Sequence, residues 1–219
     1  MTTLHLLKVW FDMAIKHRDL PVFRSALQQG NSPAPTLAGA YPLIQYKTRF
    51  YEGRQRAMMI VIGDKIIELK EQLSVHSPKI SINGKEQVLA VAGSKLLPFP
   101  LRTDKGYHTY HLFNYQVFNA EQYAHYLKLE STTDQMAFLQ QALFQDLTTF
   151  IEGVGWSLDP PMKIRSLQVL QLKSMIYKEE QVSCFDLRFR TNLWIPEHIG
   201  LGRGVDLGFG VLRLPGRKG

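Results

Sequence analysis

The chain has 219 residues, 45% hydrophobic and 21% charged, a composition that fits a globular protein with one or two cores. Its 26 lysines and arginines against 19 acids leave a formal net charge of +7, which favours anionic partners, nucleic acid before membrane surfaces. Cys184 is the single cysteine, which excludes a disulfide framework or a cysteine-built zinc site within one chain and makes a reducing cytoplasm the expected home. No secretory leader and no apolar run of about 18 residues is present, so neither export nor a membrane span is expected.

In chain order, the dense apolar stretch Leu4–Ala14 predicts a first strand. Asp19, Pro21 and the glycine closing "VFRSALQQG" frame a short helix. "NSPAPTLAGA" (Asn31–Ala40) reads as a loop. "YPLIQYKTRFY" (Tyr41–Tyr51) and "RAMMIVIG" predict two strands around a turn at Glu52–Arg54. Asp64 opens a helix to about Val75, with Ile66, Ile67, Leu69 and Leu73 as its apolar residues. Asn83-Gly84 signals a hairpin. The order is β-α-β-β-α-β, a ferredoxin-like pattern. "LLPFPL" (Leu96–Leu101) carries two prolines and is the expected boundary between domains at 1–97 and 98–219.

The second half reads β-α-α-β-β-β. Tyr107–Asn114 is a strand, and Asn119 caps a helix over "AEQYAHYLKLE". A longer helix starts at Thr132 or Thr133 and ends at the "GVG" of Gly153–Gly155, with Met136, Leu139, Leu143, Leu147 and Phe150 at helical spacing. Two long strands follow, around a turn at Lys178–Glu180. In the second, Phe185, Leu187 and Phe189 alternate with Asp186, Arg188 and Arg190, which predicts one buried face and one charged face. "GRKG" reads as a loose basic tail. The fold class is therefore α+β, two ferredoxin-like domains in tandem.

Before the last strand lies "IPEHIGLGRGVDLGFG", with glycines at 200, 202, 204, 208 and 210. Such a cluster means positive φ or close approach to the backbone. It is no dinucleotide fingerprint: Val205 and Leu207 stand where the spacing needs glycine. It lacks the G-K-[ST] of a phosphate loop, and no helix follows. An anion-binding concavity with Arg203 as its cation and a bulged turn feeding an edge strand are the two readings left.

"IPEHIGLGRGVDLGFGVLRL" resembles the C-terminal glycine-rich loop of the RAMP superfamily, and more narrowly that of the CRISPR-associated endoribonucleases that cut precursor CRISPR RNA. "YPLIQYK" (Tyr41–Lys47), "YHLFNYQVFNAEQYAHYLKLES" (Tyr110–Ser131) and "FIEGVGW" (Phe150–Trp156) resemble the same family in the same order, so the likeness spans about Arg24 to Leu212. It implies two ferredoxin-like domains with RNA held on basic surfaces and the glycine loop. It also implies cleavage without metal or other cofactor: the ribose 2′-OH attacks the adjacent phosphate, leaving a 2′,3′-cyclic phosphate and a 5′-OH. That reaction needs a base, an acid and a cation for the phosphorane.

Tyr41 matches the tyrosine of the motif and is the candidate for proton transfer, although a phenol with pKa ~10 is a better donor than base. Lys47 is the candidate phosphorane cation. Family members carry a histidine in the loop before "YPLIQYK"; here Asn31–Ala40 has none, and His17, in the turn before the first helix, is the candidate substitute. The candidate RNA contacts are Arg49, Arg188, Arg190 and Arg203, with Gly200, Gly202, Gly204, Gly208 and Gly210. No metal site is expected; His108 and His111 would lie on opposite strand faces. Trp156, Trp194 and the Tyr123–Tyr126 helix face suit packing better than base stacking. CRISPR repeat RNA is the expected partner; other CRISPR effector proteins, and a monomer or a homodimer, stay open. Two further readings stand: an RNA-binding member of the superfamily without catalysis, and a ferredoxin-like module for a small anion or a protein, which would scatter its charge instead of gathering it along one groove.

Overall fold

A computed structural model describes residues 2–28, 40–51, 53–67, 69, 79–82, 84–177 and 180–216. The chain forms two units: Thr3–Phe99 with Asp206–Gly208, and Pro100–Val205 with Phe209–Lys218 and the first two residues. The expected loop Asn31–Ala40 is described only at Ala40. Also outside the described residues are Glu52, Asn83, Lys178–Glu179, most of the helix expected after Asp64, and the end of the basic tail.

In the N-terminal unit, β1 (Thr2–Ala14) is followed by a 3-10 turn at His17–Asp19 and by α1 (Leu20–Gln28). Next come β2 (Ile44–Tyr51), β3 (Arg54–Ile62), the hairpin β4 (Lys79–Ile82) and β5 (Lys85–Val88), and the start of β6 (Val91–Tyr115). The sheet order is β2-β3-β1-β6, with β4–β5 as a separate ladder. Every second residue of β1 from Val9 to Met13 is buried, and α1 covers that face with Leu20, Phe23 and Ala26. Phe23 meets Phe11 edge-on at 5.1 Å and Tyr46 at 5.9 Å, a geometry that aromatic quadrupoles favour. Asp19 does not cap α1 as expected; its carboxylate accepts from the Lys16 N–H and closes the 3-10 turn.

The strand expected from Tyr41 begins at Ile44. Pro42 has no N–H for a ladder, and the Gln45 amide takes over local bonding, donating to the Tyr41 hydroxyl at 2.8 Å and the Pro42 carbonyl at 3.1 Å. A helical turn at Lys65–Ile67 stands where the second helix is expected to start. Ile66 and Leu69 are buried there, while Ile67 faces solvent. β6 runs without a break through the Leu96–Leu101 stretch.

In the C-terminal unit the rest of β6 leads to α2 (Ala120–Lys128), α3 (Thr132–Gly153), β7 (Ile164–Tyr177), β8 (Glu180–Trp194), a 3-10 turn at Val205–Leu207 and β9 (Val211–Arg213). Here β8 pairs with β6 on one side and β7 on the other, and β9 adds to β6. Asn119 caps α2 with a reciprocal Gln122 box at 2.8 and 3.0 Å, the device its sequence signals. The cap of α3 is Ser131, which accepts from the Asp134 N–H at 3.0 Å. The α3 stripe Leu139, Leu143, Leu147 and Phe150 is fully buried, as are Phe185, Leu187 and Phe189 of β8, so the expected alternation holds. It fails at Asp186, which is buried: its carboxylate accepts from the Asn114 N–H at 2.8 Å and the Lys173 ammonium at 2.7 Å.

Candidate functional site

The glycine-rich stretch is held by backbone bonds within its own unit. The Leu201 N–H donates to Gly210 at 2.9 Å, Arg203 to Gln116 at 2.8 Å, and Gly210 to Asn114 at 3.0 Å. Two of its glycines answer directly why side chains are absent. Gly202 has φ +89°, and a Cβ there would stand 2.6 Å from the Tyr115 ring and 2.8 Å from the Gln116 carbonyl. Gly208 has φ +83°, and a Cβ would stand 2.9 Å from Leu20 Cδ1, 3.2 Å from the Tyr46 carbonyl and 3.4 Å from His17 Nε2. Both features are glycine's province: the left-handed region and close approach.

Asp206–Gly208 belongs to the N-terminal unit, where Asp206 forms an ion pair with Arg24 of α1. The pair holds the segment beside the α1 start. His17, on the 3-10 turn, is brought to Gly208 in this way. Burial pushes the His17 imidazole below its usual pKa; the Gly208 backbone opposes this and the Lys47 charge adds to it. The imidazole is therefore neutral, and basic, across the neutral pH range. Lys47 is only 1% exposed, so it is no solvated strand lysine; it acts on this cluster as a buried positive charge. Next to it, the Tyr46 phenol is pushed up to about 12, chiefly by burial, and stays protonated.

Tyr41 is 6% exposed, and its hydroxyl accepts from the fully buried Gln45 amide. Tyr41→Phe would leave that donor short of an acceptor, a change worth about 1–3 kcal/mol. The expected outcome is a lower melting temperature, read by thermal melting against wild type.

The C-terminal unit carries a basic face of its own, on the side of its sheet away from α3. Across β9, β6, β8 and β7 runs the row Arg213–His111–Arg188–Gln168, and beside it Thr109–Arg190–Ser166. Arg188 and Arg190 are exposed and line a groove of about 350 Å³ with Thr109, Ser166, Leu167 and Gln168. Aromatic rings interleave with the cations. The Arg165 guanidinium lies 5.2 Å and that of Arg190 6.0 Å from the Tyr107 ring, and Arg213 lies 5.7 Å from Phe113. Cations among stacking rings suit single-stranded nucleic acid. Sequence reasoning finds Arg188 and Arg190 by their alternation. It misses Arg165, Tyr107 and Arg213, whose strands show no clean alternation; the register sets Arg213 opposite His111, and the Tyr107 ring gathers Arg165 and Arg190. His108 and His111 part as expected: His108 meets Asp104 at 2.6 Å and the Trp194 ring, His111 the Arg188 row.

Arg49, half-buried, lies 5.8 Å from the Trp10 ring and 5.7 Å from Tyr51. Arg203 is exposed at the tip of the glycine stretch. Trp156 is buried, as packing requires. Among the described residues no three histidine, cysteine or acidic side chains gather as a metal site would need, and no helix is long and apolar enough to cross a membrane.

The Cas6b C-terminal domain family matches residues 102–214, more than half of the chain. No curated protein matches the sequence. Among solved structures, the chain is similar to a Cas6b crystal structure with TM-score 0.79 and 18% identity, over 97% of this chain and 100% of that one. It is also similar to the CRISPR RNA processing endoribonuclease Cas6b, with TM-score 0.73 and 18% identity over 96% and 98%. A Cas6 product complex matches with TM-score 0.58 and 14% identity over 97% and 99%. The fold is thus the mixed α+β, tandem ferredoxin-like one expected from the element order.

Proposed function

This chain belongs to the Cas6b family, and on that premise we propose that it is an endoribonuclease that binds and cleaves CRISPR repeat RNA to give mature CRISPR RNAs. The observation that carries the reading is the seating of the glycine stretch against His17: a neutral imidazole, a buried lysine charge and a backbone segment meet at one place. In the reaction His17 takes the proton of the ribose 2′-OH as that oxygen attacks phosphorus. The bond from phosphorus to the 5′-oxygen breaks, and that oxygen leaves with a proton from water. The products are a 2′,3′-cyclic phosphate and a 5′-OH. Lys47 stabilises the phosphorane by charge at short range in a low-dielectric setting. The basic, aromatic face around Arg188, Arg190 and Tyr107 holds the strand, with Arg203 on a neighbouring phosphate.

A 2′-deoxy scan tests the reaction class. Replacing one ribose of the repeat at a time, a single substitution should abolish cleavage while the RNA still binds; cutting at every substituted position would refute attack by the 2′-OH. Binding should also be strongly salt-dependent. Each phosphate neutralised on a single strand contributes roughly −0.7 to the log–log slope, so a strand held at four phosphates gives about −3. Removing Arg188 and Arg190 together, as glutamines, should bring the slope down by about 1.4. A shallow slope that ignores these two arginines would instead fit a small-ligand module.

A further inference from the structure

Below the glycine stretch lies a network that the cleavage reaction leaves unused. Asp146 sits on α3 beside the buried stripe Leu143 and Leu147. Its carboxylate accepts from the hydroxyl of Tyr115, which is wholly buried at the end of β6. The ring of the same tyrosine is the floor on which Gly202 rests, and the next residue, Gln116, forms the backbone bridge to Arg203. One short path thus joins Asp146, Tyr115, Gly202 and Arg203, and the Arg203 charge acts on Asp146.

We propose that Asp146, seated through Tyr115, is the positioning residue of Arg203: it balances the guanidinium charge in the free protein and yields it to an RNA phosphate on binding. This rests on the reading that the glycine stretch contacts RNA. The exchange has a proton consequence. Burial raises the Asp146 carboxyl to about 6, against the lowering contributions of the hydrogen bond from the Tyr115 hydroxyl and of the Arg203 charge. When Arg203 turns to a phosphate, the carboxylate loses its counter-charge, gains a nearby anion, and takes up a proton from solvent. The bound state then has the higher pKa, so affinity is greatest below pH 6 and declines as pH rises from about 6 to the bound-state pKa. It levels off above the bound-state pKa.

The test is the affinity of the full chain for its CRISPR repeat RNA carrying 2′-O-methyl riboses, which 2′-OH attack cannot cut, between pH 5 and 8. For a one-unit rise in pKa on binding, wild-type affinity falls by up to about tenfold over that range. Asp146→Asn, which keeps an acceptor for Tyr115, should match wild type at pH 5 and bind more tightly than wild type at pH 8. Arg203→Gln, on the exposed loop, should lose the same pH component by the other route. An unchanged pH slope in both variants overturns the proposal while leaving RNA binding intact. No RNA binding at any pH overturns the reading beneath it as well.

Discussion

His17→Asn should slow cleavage of repeat RNA by about 10²–10⁴ while leaving affinity within about twofold. The fold brings this imidazole to Gly208 in a neutral, basic form, and asparagine keeps the size without the base. The pH profile adds a second reading. Protonation removes the base, so wild-type cleavage should be flat through pH 7–8 and fall only below the ordinary imidazole value of about 6.5. Lys47 contributes to that depression, so Lys47→Met should move the acid limb to higher pH as well as lower the plateau. The depressed pKa also carries a stability sign. The folded state binds this proton less readily than the unfolded chain, so the His17 contribution is present above pH 6.5 and is lost as pH falls through the folded value. His17→Asn should make the melting temperature less sensitive to acid.

Gly208→Val is expected to have the other large effect. A branched Cβ at φ +83° meets Cδ1 of the fully buried Leu20 at 2.9 Å and the Tyr46 carbonyl at 3.2 Å, so a packed side chain and a strand backbone must both shift. Backbone strain and overpacking together cost about 2–4 kcal/mol, roughly 5–12 °C in melting temperature for a chain of this size. The displaced segment should pull Asp206 from Arg24 and Gly208 from His17, lowering cleavage by at least about 10²-fold. Gly216→Val is the control: φ is +82° there, but nothing lies within 4 Å of the added Cβ, so strain alone acts and cleavage should persist. Equal losses in the two variants would mean that the contact with His17 is irrelevant.

Much of the architecture is legible in the sequence because local rules specify it. The Asn119–Gln122 box, the α3 stripe and the Phe185–Leu187–Phe189 alternation are readable from spacing alone, since each reflects one element's own period. The glycine stretch is readable as a close approach, but what it approaches is not. Arg24 and Asp206 are 182 residues apart, and no local pattern pairs them. That Lys47 lies inside is not legible either, because sequence alternation cannot show what covers a strand face. Asp186 breaks its strand's charged face for a similar reason, since its partners Asn114 and Lys173 come from other strands. Tyr41 carries the family motif, yet its contact with Gln45 gives it a structural task visible only in three dimensions.

The central claim is that His17 drives attack of a ribose 2′-OH at a site seated by the glycine stretch. The most direct measurement is single-turnover cleavage of the repeat RNA in EDTA, by wild type and His17→Asn side by side, with the ends of the products identified chemically. The account predicts one cut site, a 2′,3′-cyclic phosphate on the upstream fragment and a 5′-OH on the downstream one, and little product from the variant. Cleavage that requires added Mg²⁺ and leaves a 5′-phosphate, or a His17→Asn rate equal to wild type, would contradict it.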